Sequence, residues 1–162
     1  MIKLRNMSFK QKMLNPFFFN LFLLLKLPIA FFSGLKMKEL SDDHAIVFMK
    51  YNYLNKNPFG SIYFACLSMA GELASGMLAA SIIYNSNYKL SMLVTKVTIN
   101  FKKKAVGSIF FECNQGEEIA KAIHESIQTA EGQTIESLTT ARNKQGDIVA
   151  EFFIKWSFKL KN

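Results

Sequence analysis

The sequence predicts an α+β domain in which an antiparallel sheet of five to six strands wraps around one long apolar helix, with an extra helix at the N-terminus. The long helix is predicted over residues 61–83, which are apolar nearly all round and rich in Ala, Gly and Ser. A helix that is apolar on every side has to be buried on every side. The runs around it alternate polar and apolar residues with the period of strands, and short turns join them, as in antiparallel sheets. A chain of 162 residues can bury one such core.

The basic residues of the chain are concentrated at its N-terminus. The formal net charge is +8, and residues 1–38 hold seven bases and no acid, which leaves +1 for residues 39–162. A nucleic-acid-binding domain instead spreads Lys and Arg over a docking face. The pattern therefore argues against a nucleic-acid partner and marks one basic segment, which contains Lys3, Arg5, Lys10, Lys12, Lys26, Lys36 and Lys38.

An apolar helix is predicted inside this basic segment. Asn15 and Pro16 suit the start of a helix that runs to about Lys26, and Pro28 marks the loop after it. The apolar run is shorter than the roughly 20 residues that span a bilayer, and no signal-peptide cleavage site follows it cleanly. We expect a helix folded onto its own domain. An interfacial membrane helix and a cleaved signal are the alternatives.

The chain is predicted to divide into an N-terminal helix and loop, residues 1–34, and a domain over residues 35–162. The domain is predicted to have strands at 44–53, 89–102, 108–114, 133–142 and 147–159, a tight turn at 143–146 and an amphipathic helix at 117–130. On the second strand, alternation places one apolar face on Leu93, Thr95, Val97, Ile99 and Phe101. The side chains of the N-terminal helix that are expected to pack over the domain are Phe17, Phe18, Phe22 and Leu25.

The cysteines and histidines do not form a recognisable ligand pattern. Cys66 and Cys113 each lie in an apolar run and are expected to be buried thiols. No Cys-x-x-Cys spacing occurs, so no metal site is predicted. His44 and His124 are expected at the solvated surface.

Glu72 is the residue of the long helix that points to chemistry. It is the only charged residue between Lys56 and Lys89. Burying a carboxylate is costly unless it is paired, and burial raises its pKa, a combination typical of functional sites. Ser68 at i−4 and Ser75 at i+3 are able to hydrogen-bond it. The alternative is a structural carboxylate tied to a strand lysine or a backbone amide.

Two segments resemble a known family. Residues 57–76, NPFGSIYFACLSMAGELASG, and residues 94–107, VTKVTINFKKKAVG, resemble the branch of the hotdog superfamily catalogued as DUF4442, a domain of unknown function. That branch is similar to the phenylacetate-pathway and 4-hydroxybenzoyl-CoA thioesterases. The resemblance covers the chain from about Met13 onward and implies the hotdog fold, in which a sheet surrounds one central helix.

The resemblance also implies roles for individual residues. A carboxylate on the central helix of such thioesterases acts as nucleophile or general base, and Glu72 occupies that position. An upstream Asn, here Asn57, positions water or the thioester. A His-Gly-Gly before the carboxylate commonly supplies a backbone N–H to the thioester carbonyl. Here that segment, expected to contact substrate together with Gly60, Ser68 and Ser75, reads Tyr63-Phe64-Ala65.

The predicted function is hydrolysis of an acyl-CoA or acyl-carrier thioester in the cytoplasm. Coenzyme A would be part of the substrate, with Lys102, Lys103 and Lys104 meeting its phosphates through charge-assisted contacts; no other cofactor is predicted. The missing glycines favour a non-catalytic acyl-CoA or lipid-binding module as the alternative, and the N-terminal helix a peripheral membrane protein. A dehydratase is disfavoured, because no histidine lies near the helix.

The assembly predicted from the sheet is a homodimer, with a tetramer as the alternative. A hotdog sheet leaves one edge strand unpaired, and pairing it with a second copy removes that liability. The active sites are then expected at or near the subunit interface.

Overall fold

The computed structural model of the chain describes residues 7–161, so Lys3 and Arg5 lie outside the described residues. The helices are α1 (Phe9–Leu14), α2 (Pro16–Lys26), α3 (Pro28–Phe32), α4 (Phe64–Asn85) and α5 (Gly116–Thr129). The strands are β1 (Lys36–Leu40), β2 (Ala45–Lys50), β3 (Leu90–Phe101), β4 (Ser108–Cys113), β5 (Gln133–Asn143) and β6 (Ile148–Leu160).

The six strands form one sheet with the order β1-β2-β4-β5-β6-β3. Every neighbouring pair is antiparallel, and the sheet packs around α4, which contacts β2, β4, β5 and β6. The predicted hotdog fold is therefore confirmed. At one end of the sheet α1 and α2 contact β1. At the other end β3 pairs only with β6 among the described residues.

The small residues of α4 let the helix approach the sheet closely. A Cβ atom added at Gly71 would lie 2.5 Å from Cγ of Phe152 on β6, so no larger residue fits there without displacing the ring. Phe152 is fully buried, as are Phe111 and Phe158. The helix begins at Phe64 and not at residue 61, because Ile62 first forms a bridge with Lys56 and donates to the carbonyl of Ala105.

One side of α4 is not covered, which corrects the expectation that the helix is buried all round. Phe64 is exposed, and Ser68 and Glu72, one and two turns further, are only partly buried. These residues share a stripe because they are four apart. The sheet covers the opposite side of the helix. The stripe is therefore available to a ligand or a second chain.

A β-bulge changes the inward face of β3. The register against β6 shifts between Val94 and Lys96, so Thr95 is an extra residue on this strand. One extra residue reverses the alternation beyond it. Before the bulge Met92 and Val94 pack against the core, so the predicted face is wrong for Leu93, which is 62% exposed. Beyond it Ile99 is half-buried as predicted, whereas Val97 and Phe101 are exposed.

The N-terminal helix forms as predicted, but it packs through other residues. The side chain of Asn15 accepts hydrogen bonds from the N–H groups of Phe17 and Phe18, and Pro16 takes the first helical position. Phe17 and Leu25 are exposed, whereas the buried residues of α2 are Phe19 and Leu23; Phe18 and Phe22 are half-buried. Because α2 is apolar on all sides, its periodicity could not show which face meets β1.

The predicted amphipathic helix and the predicted burial of the two cysteines are confirmed. Ile119 and Ile123 of α5 are fully buried, and Cys66 and Cys113 are buried free thiols. α4 is long and apolar enough to cross a membrane, but most of it is buried inside this domain, as expected for the core helix of a hotdog fold.

Candidate functional site

The side chain of Glu72 lines an apolar cleft between α4 and the connection of α2 to α3. The cleft has a volume of about 270 Å³. Its walls come from the end of α2, from α3 and from the middle of α4, and the lining residues are Lys26, Leu27, Pro28, Ile29, Ala30, Met69, Glu72 and Leu73. Glu72 and Lys26 are the two charged residues in this lining, and the rest of the wall is apolar.

Burial raises the pKa of Glu72 from 4.5 to about 7. Among residues 7–161 no cationic nitrogen lies within 4.0 Å of the carboxylate, so no ion pair opposes the effect of burial. The carboxylate lies beside Gly76: a Cβ atom at this glycine would be 3.1 Å from Glu72 Oε1 and 3.4 Å from the ring of Trp156. At neutral pH the acid and the base forms of the Glu72 side chain are therefore both populated.

Ser68 and Ser75 were predicted to be able to hydrogen-bond the Glu72 carboxylate, but the structure shows other partners for both hydroxyls. The hydroxyl of Ser68 donates to the carbonyl of Phe64 at 2.8 Å. The hydroxyl of Ser75 donates to the backbone carbonyl of Glu72 at 3.3 Å and accepts from Trp156 Nε1 at 3.0 Å. Serine hydroxyls in helices commonly bond the preceding turn in this way.

A second cleft, of about 290 Å³, lies at the N-terminus of α4. It brings together several of the residues predicted to bind substrate, although they are far apart in sequence. Its lining residues are Asn57, Pro58, Phe59, Ser61, Ile62, Tyr63, Phe64, Leu67, Phe101, Lys103, Lys104 and Ala105. Tyr63 and Phe64 of the predicted thioester-binding segment therefore share one cleft with Lys103 and Lys104, whereas Ala65 and Lys102 are not in its lining.

The start of α4 presents unpaired backbone donors. The N–H of Tyr63 donates to the carbonyl of Asn55. Within residues 7–161 the N–H groups of Phe64 and Ala65 have no acceptor, and no side chain caps the helix. Such N–H groups and the helix dipole favour a negatively charged oxygen. Two of the three residues of the predicted thioester-binding segment, Phe64 and Ala65, therefore keep a free donor.

Asn57 organises the loop in front of α4. Its Oδ1 accepts from the N–H of Phe59 at 2.9 Å and of Ser61 at 3.2 Å, and its Nδ2 donates to the hydroxyl of Ser61 at 2.9 Å. Gly60 completes the turn with φ +74°, a conformation that glycine adopts readily. These contacts hold the mouth of the cleft in shape. A direct contact between Asn57 and a thioester stays a prediction.

The three lysines after β3 differ in their surroundings. Lys102 pairs with Glu151 and Lys103 with Asp147, each at 3.2 Å; a hydrogen bond from Asn143 and the neighbouring Lys103 lower the pKa of Asp147. Exposed pairs of this kind are weak, about 0–1 kcal/mol. A phosphate could therefore displace them.

The two clefts are lined by different parts of α4, the first by Met69, Glu72 and Leu73 and the second by Phe64 and Leu67, and they do not converge within one chain. Ala65 and Glu72 are seven residues apart, which is about 10 Å along a helix axis. A reacting carbonyl has to lie about 3 Å from both the base and the oxyanion donors. The sequence patterns did not indicate Gly76 or the α3 wall; the only signal for Gly76 was its position one turn after Glu72.

The histidines show no convergent site. His44 Nε2 lies 3.0 Å from Glu39 Oε2, its Nδ1 lies 2.9 Å from the hydroxyl of Ser41, and His124 is exposed on α5. In the described part of the chain, no group of three His, Cys, Asp or Glu side chains could hold a metal ion.

Comparison with known proteins finds one family and many similar folds. The family model DUF4442, described as a domain of unknown function, matches residues 18–158. No curated protein matches the chain. Three solved structures are similar at TM-scores of 0.71, 0.76 and 0.62: a probable thioesterase from Pseudomonas aeruginosa, a protein of unknown function from Chlorobaculum tepidum and a thioesterase from Haemophilus influenzae.

The similar structures share little sequence with this chain. The identities are 18%, 19% and 11% in the same order. The matches cover 91%, 92% and 86% of this chain and 97%, 98% and 88% of the other chains. At such identities the likeness shows that the fold is shared over nearly the whole length.

Proposed function

The chain belongs to the DUF4442 family, and its fold is similar to that of two proteins named as thioesterases. We therefore propose that it binds an acyl thioester and hydrolyses it with Glu72. The observation that carries the proposal is the Glu72 carboxylate in its apolar cleft, with a pKa raised to about 7 by burial. A general base works best when its pKa is near the working pH. The nearer resemblance to phenylacetate-pathway and 4-hydroxybenzoyl-CoA thioesterases stays a prediction from the sequence.

The proposed reaction uses the groups already described. Glu72 accepts a proton from water, and the water oxygen attacks the thioester carbonyl carbon. The charge that develops on the carbonyl oxygen is stabilised by the free N–H groups of Phe64 and Ala65. The C–S bond then breaks, the thiolate leaves and takes up the proton, and the products are a carboxylic acid and a thiol.

The separation of about 10 Å between these groups along α4 favours a site shared by two copies. β3 pairs on one side only in the described structure, and it exposes Leu93, Val97 and Phe101. An unpaired apolar edge is commonly covered by a second strand. In the dimer that we propose, α4 of one copy supplies Glu72 and α4 of the other copy supplies the N–H groups.

The substrate that we favour is an acyl-CoA or an acyl-carrier thioester. The cleft at the start of α4 holds Lys103 and Lys104 at its rim and Phe101 and Leu67 in its wall. Basic side chains suit phosphates, and the apolar wall suits the carbon chain next to the thioester. Lys102 directly precedes Lys103 in the chain but does not line the cleft, so it would contact a phosphate only at the outer rim.

A non-catalytic acyl-binding module is the second candidate function. The exposed rings of Tyr63 and Phe64 stand at the start of α4, 4.9 Å apart between centroids, where the catalytic relatives commonly have glycines. Bulky rings at this position narrow the approach of a thioester to the N–H groups. Binding without turnover is the outcome that favours this function.

The experiment is thioester turnover by the wild-type protein and by Glu72→Gln over a panel of acyl-CoA chain lengths. Loss of a general base should reduce kcat by about 10²–10⁴, and the wild-type kcat/KM should rise with pH to a plateau above about pH 7. Glu131→Gln, which neutralises an exposed glutamate outside both clefts, is the control. Full activity of Glu72→Gln would exclude its catalytic role.

A further inference from the structure

α2 and α3 carry large apolar side chains that the domain leaves uncovered. Phe17 is 70% exposed, Leu25 68% and Ile29 71%. The opposite face of α2 is buried through Phe19 and Leu23. A helix that is apolar on both faces indicates a second partner for the outer face. We call this face the N-terminal apolar surface; its residues are Phe17, Leu21, Leu24, Leu25, Ile29 and Phe32.

Lysines surround the N-terminal apolar surface. Lys12 lines a shallow cleft with Phe17, Lys36 lines another with Pro16, and Lys26 ends α2. None of these three lysines is ion-paired within residues 7–161. The sequence has no acidic residue before Glu39. The surface is therefore apolar at its centre and has lysines at its rim, with Glu72 in the cleft next to Ile29.

We propose that the N-terminal apolar surface docks into the interfacial layer of an anionic lipid membrane. Exposed Phe and Leu side chains insert below the headgroups, as in interfacial amphipathic helices. The lysines at the rim keep their charged ends at the level of the lipid phosphates, with their carbon chains along the apolar surface. Both features are needed, because a purely apolar partner would leave the basic rim without a counter-charge.

A second copy of this chain fits the surface less well. Two copies meeting through the same face would bring the lysines of one rim against the lysines of the other, and like charges in contact repel. α2, which carries most of this surface, packs on β1, at the opposite end of the strand order from β3. The surface therefore stays free in a dimer formed through β3.

Membrane docking also places the Glu72 cleft next to the lipid. Leu27 and Ile29 belong to the exposed part of α2 and α3, and both also line the cleft that holds Glu72. An acyl chain could pass from the membrane into the cleft without crossing water. This last step rests on the proposed function, whereas membrane docking does not.

The test is co-sedimentation of the full-length protein with vesicles of phosphatidylcholine, with and without phosphatidylserine. We expect the protein to sediment with the anionic vesicles and to be released by high salt. The double variant Phe17→Ser/Leu25→Ser should lose at least tenfold in partitioning, since each large side chain contributes much of the inserted area. Its matched control is Tyr53→Ser/Leu54→Ser, two exposed apolar residues outside this surface.

The basic rim is tested separately. Lys12→Gln/Lys36→Gln should weaken sedimentation with anionic vesicles about tenfold or more, since each lysine near an anionic surface adds to binding. Lys144→Gln/Lys159→Gln, which removes two exposed lysines elsewhere, should leave it unchanged. Each variant is accepted only with a wild-type thermal midpoint, because the substituted residues are mostly exposed.

Two results would overturn the proposal. One is a wild-type protein that stays in the supernatant with anionic vesicles, or that binds neutral vesicles equally well. The other is a wild-type protein that does not bind vesicles and whose mass by light scattering is larger than that of Phe17→Ser/Leu25→Ser. That result would assign the surface to contact with a second copy. Because sedimentation does not depend on turnover, an inactive protein that binds vesicles would contradict only the proposed function.

Discussion

The Glu72 carboxylate fits beside α4 because the residue one turn further along, Gly76, has no side chain. A Cβ atom at Gly76 would begin 3.1 Å from Glu72 Oε1 and 3.4 Å from the ring of Trp156. Trp156 is itself held by its hydrogen bond to Ser75. In this setting the carboxylate has no hydrogen-bond donor or cation beside it among the described residues, and burial raises its pKa. The charge is therefore costly in the folded state, which links the residue to stability as well as to chemistry.

Glu72→Gln should change how the stability of the protein depends on pH. In the wild type the folded state keeps the Glu72 proton up to about pH 7, whereas the unfolded chain loses it near 4.5. The stabilisation from this proton is complete below pH 4.5 and is lost as the pH rises to about 7. This contribution to the free energy of unfolding is at most about 3 kcal/mol. Solvent screens the partly exposed carboxylate, so the actual contribution is smaller. Glu72→Gln, which has no proton to lose, should escape this decline.

The measurement is the thermal midpoint of both proteins from pH 4 to pH 8. The midpoint of the variant relative to the wild type should rise by several degrees over this window. Glu131→Gln, an exposed glutamate in the turn after α5, is the control and should follow the wild type. Parallel curves for wild type and Glu72→Gln would mean that the carboxylate is not buried in solution.

At the scale of elements, the start of α4 is arranged to leave its donors free. Tyr63 has an extended conformation, with φ −65° and ψ 136°, and no side chain caps the helix. The loop before it is held by Asn57 and by the bridge of Lys56 to Ile62. The helix therefore begins at Phe64, with unpaired N–H groups at the edge of a cleft.

Phe64→Pro should remove one of these donors without breaking α4. Proline is tolerated at the first position of a helix, and the extended residue before it satisfies the restriction that proline imposes. If the N–H of Phe64 stabilises the oxyanion, kcat should fall by about 10²–10³. The measurement is thioester turnover by Phe64→Pro beside Phe64→Ala, which removes the ring but keeps the N–H. Equal activity of the two variants would exclude this donor.

At the scale of the whole molecule, the distance between the two clefts decides how many copies form a site. Glu72 and the start of α4 are about 10 Å apart along one helix, so one copy brings only one of the two groups to a given carbonyl. β3, which among the described residues pairs only with β6, offers the edge through which a second copy can approach.

Mixing two inactive variants should restore activity if the site is shared. In a heterodimer of Glu72→Gln with Phe64→Pro, one site combines both defects and the other combines the two intact groups. Random exchange of subunits should therefore restore about a quarter of the wild-type activity. The measurement is turnover after the two proteins are unfolded and refolded together. Each variant refolded alone is the control, and a mixture no more active than the controls would place both groups in one chain.

The sequence by itself determined the architecture. The two-residue and 3.6-residue periods, the small residues of the central helix and the turn at 143–146 predicted the sheet, α4 and the final hairpin, because these patterns depend on local geometry. Glu72 was found for the same reason, as one charge in a long apolar run.

Only the tertiary structure decided which faces meet. α2 is apolar on all sides, so its contact with β1, and not its periodicity, selects Phe19 and Leu23 over Phe17 and Leu25. The bulge at Thr95 reverses the faces of β3 without a signal in its composition. The space beside Glu72, the unpaired N–H groups of α4 and the open edge of β3 depend on contacts between residues distant in sequence, and a pattern along the chain does not specify such contacts.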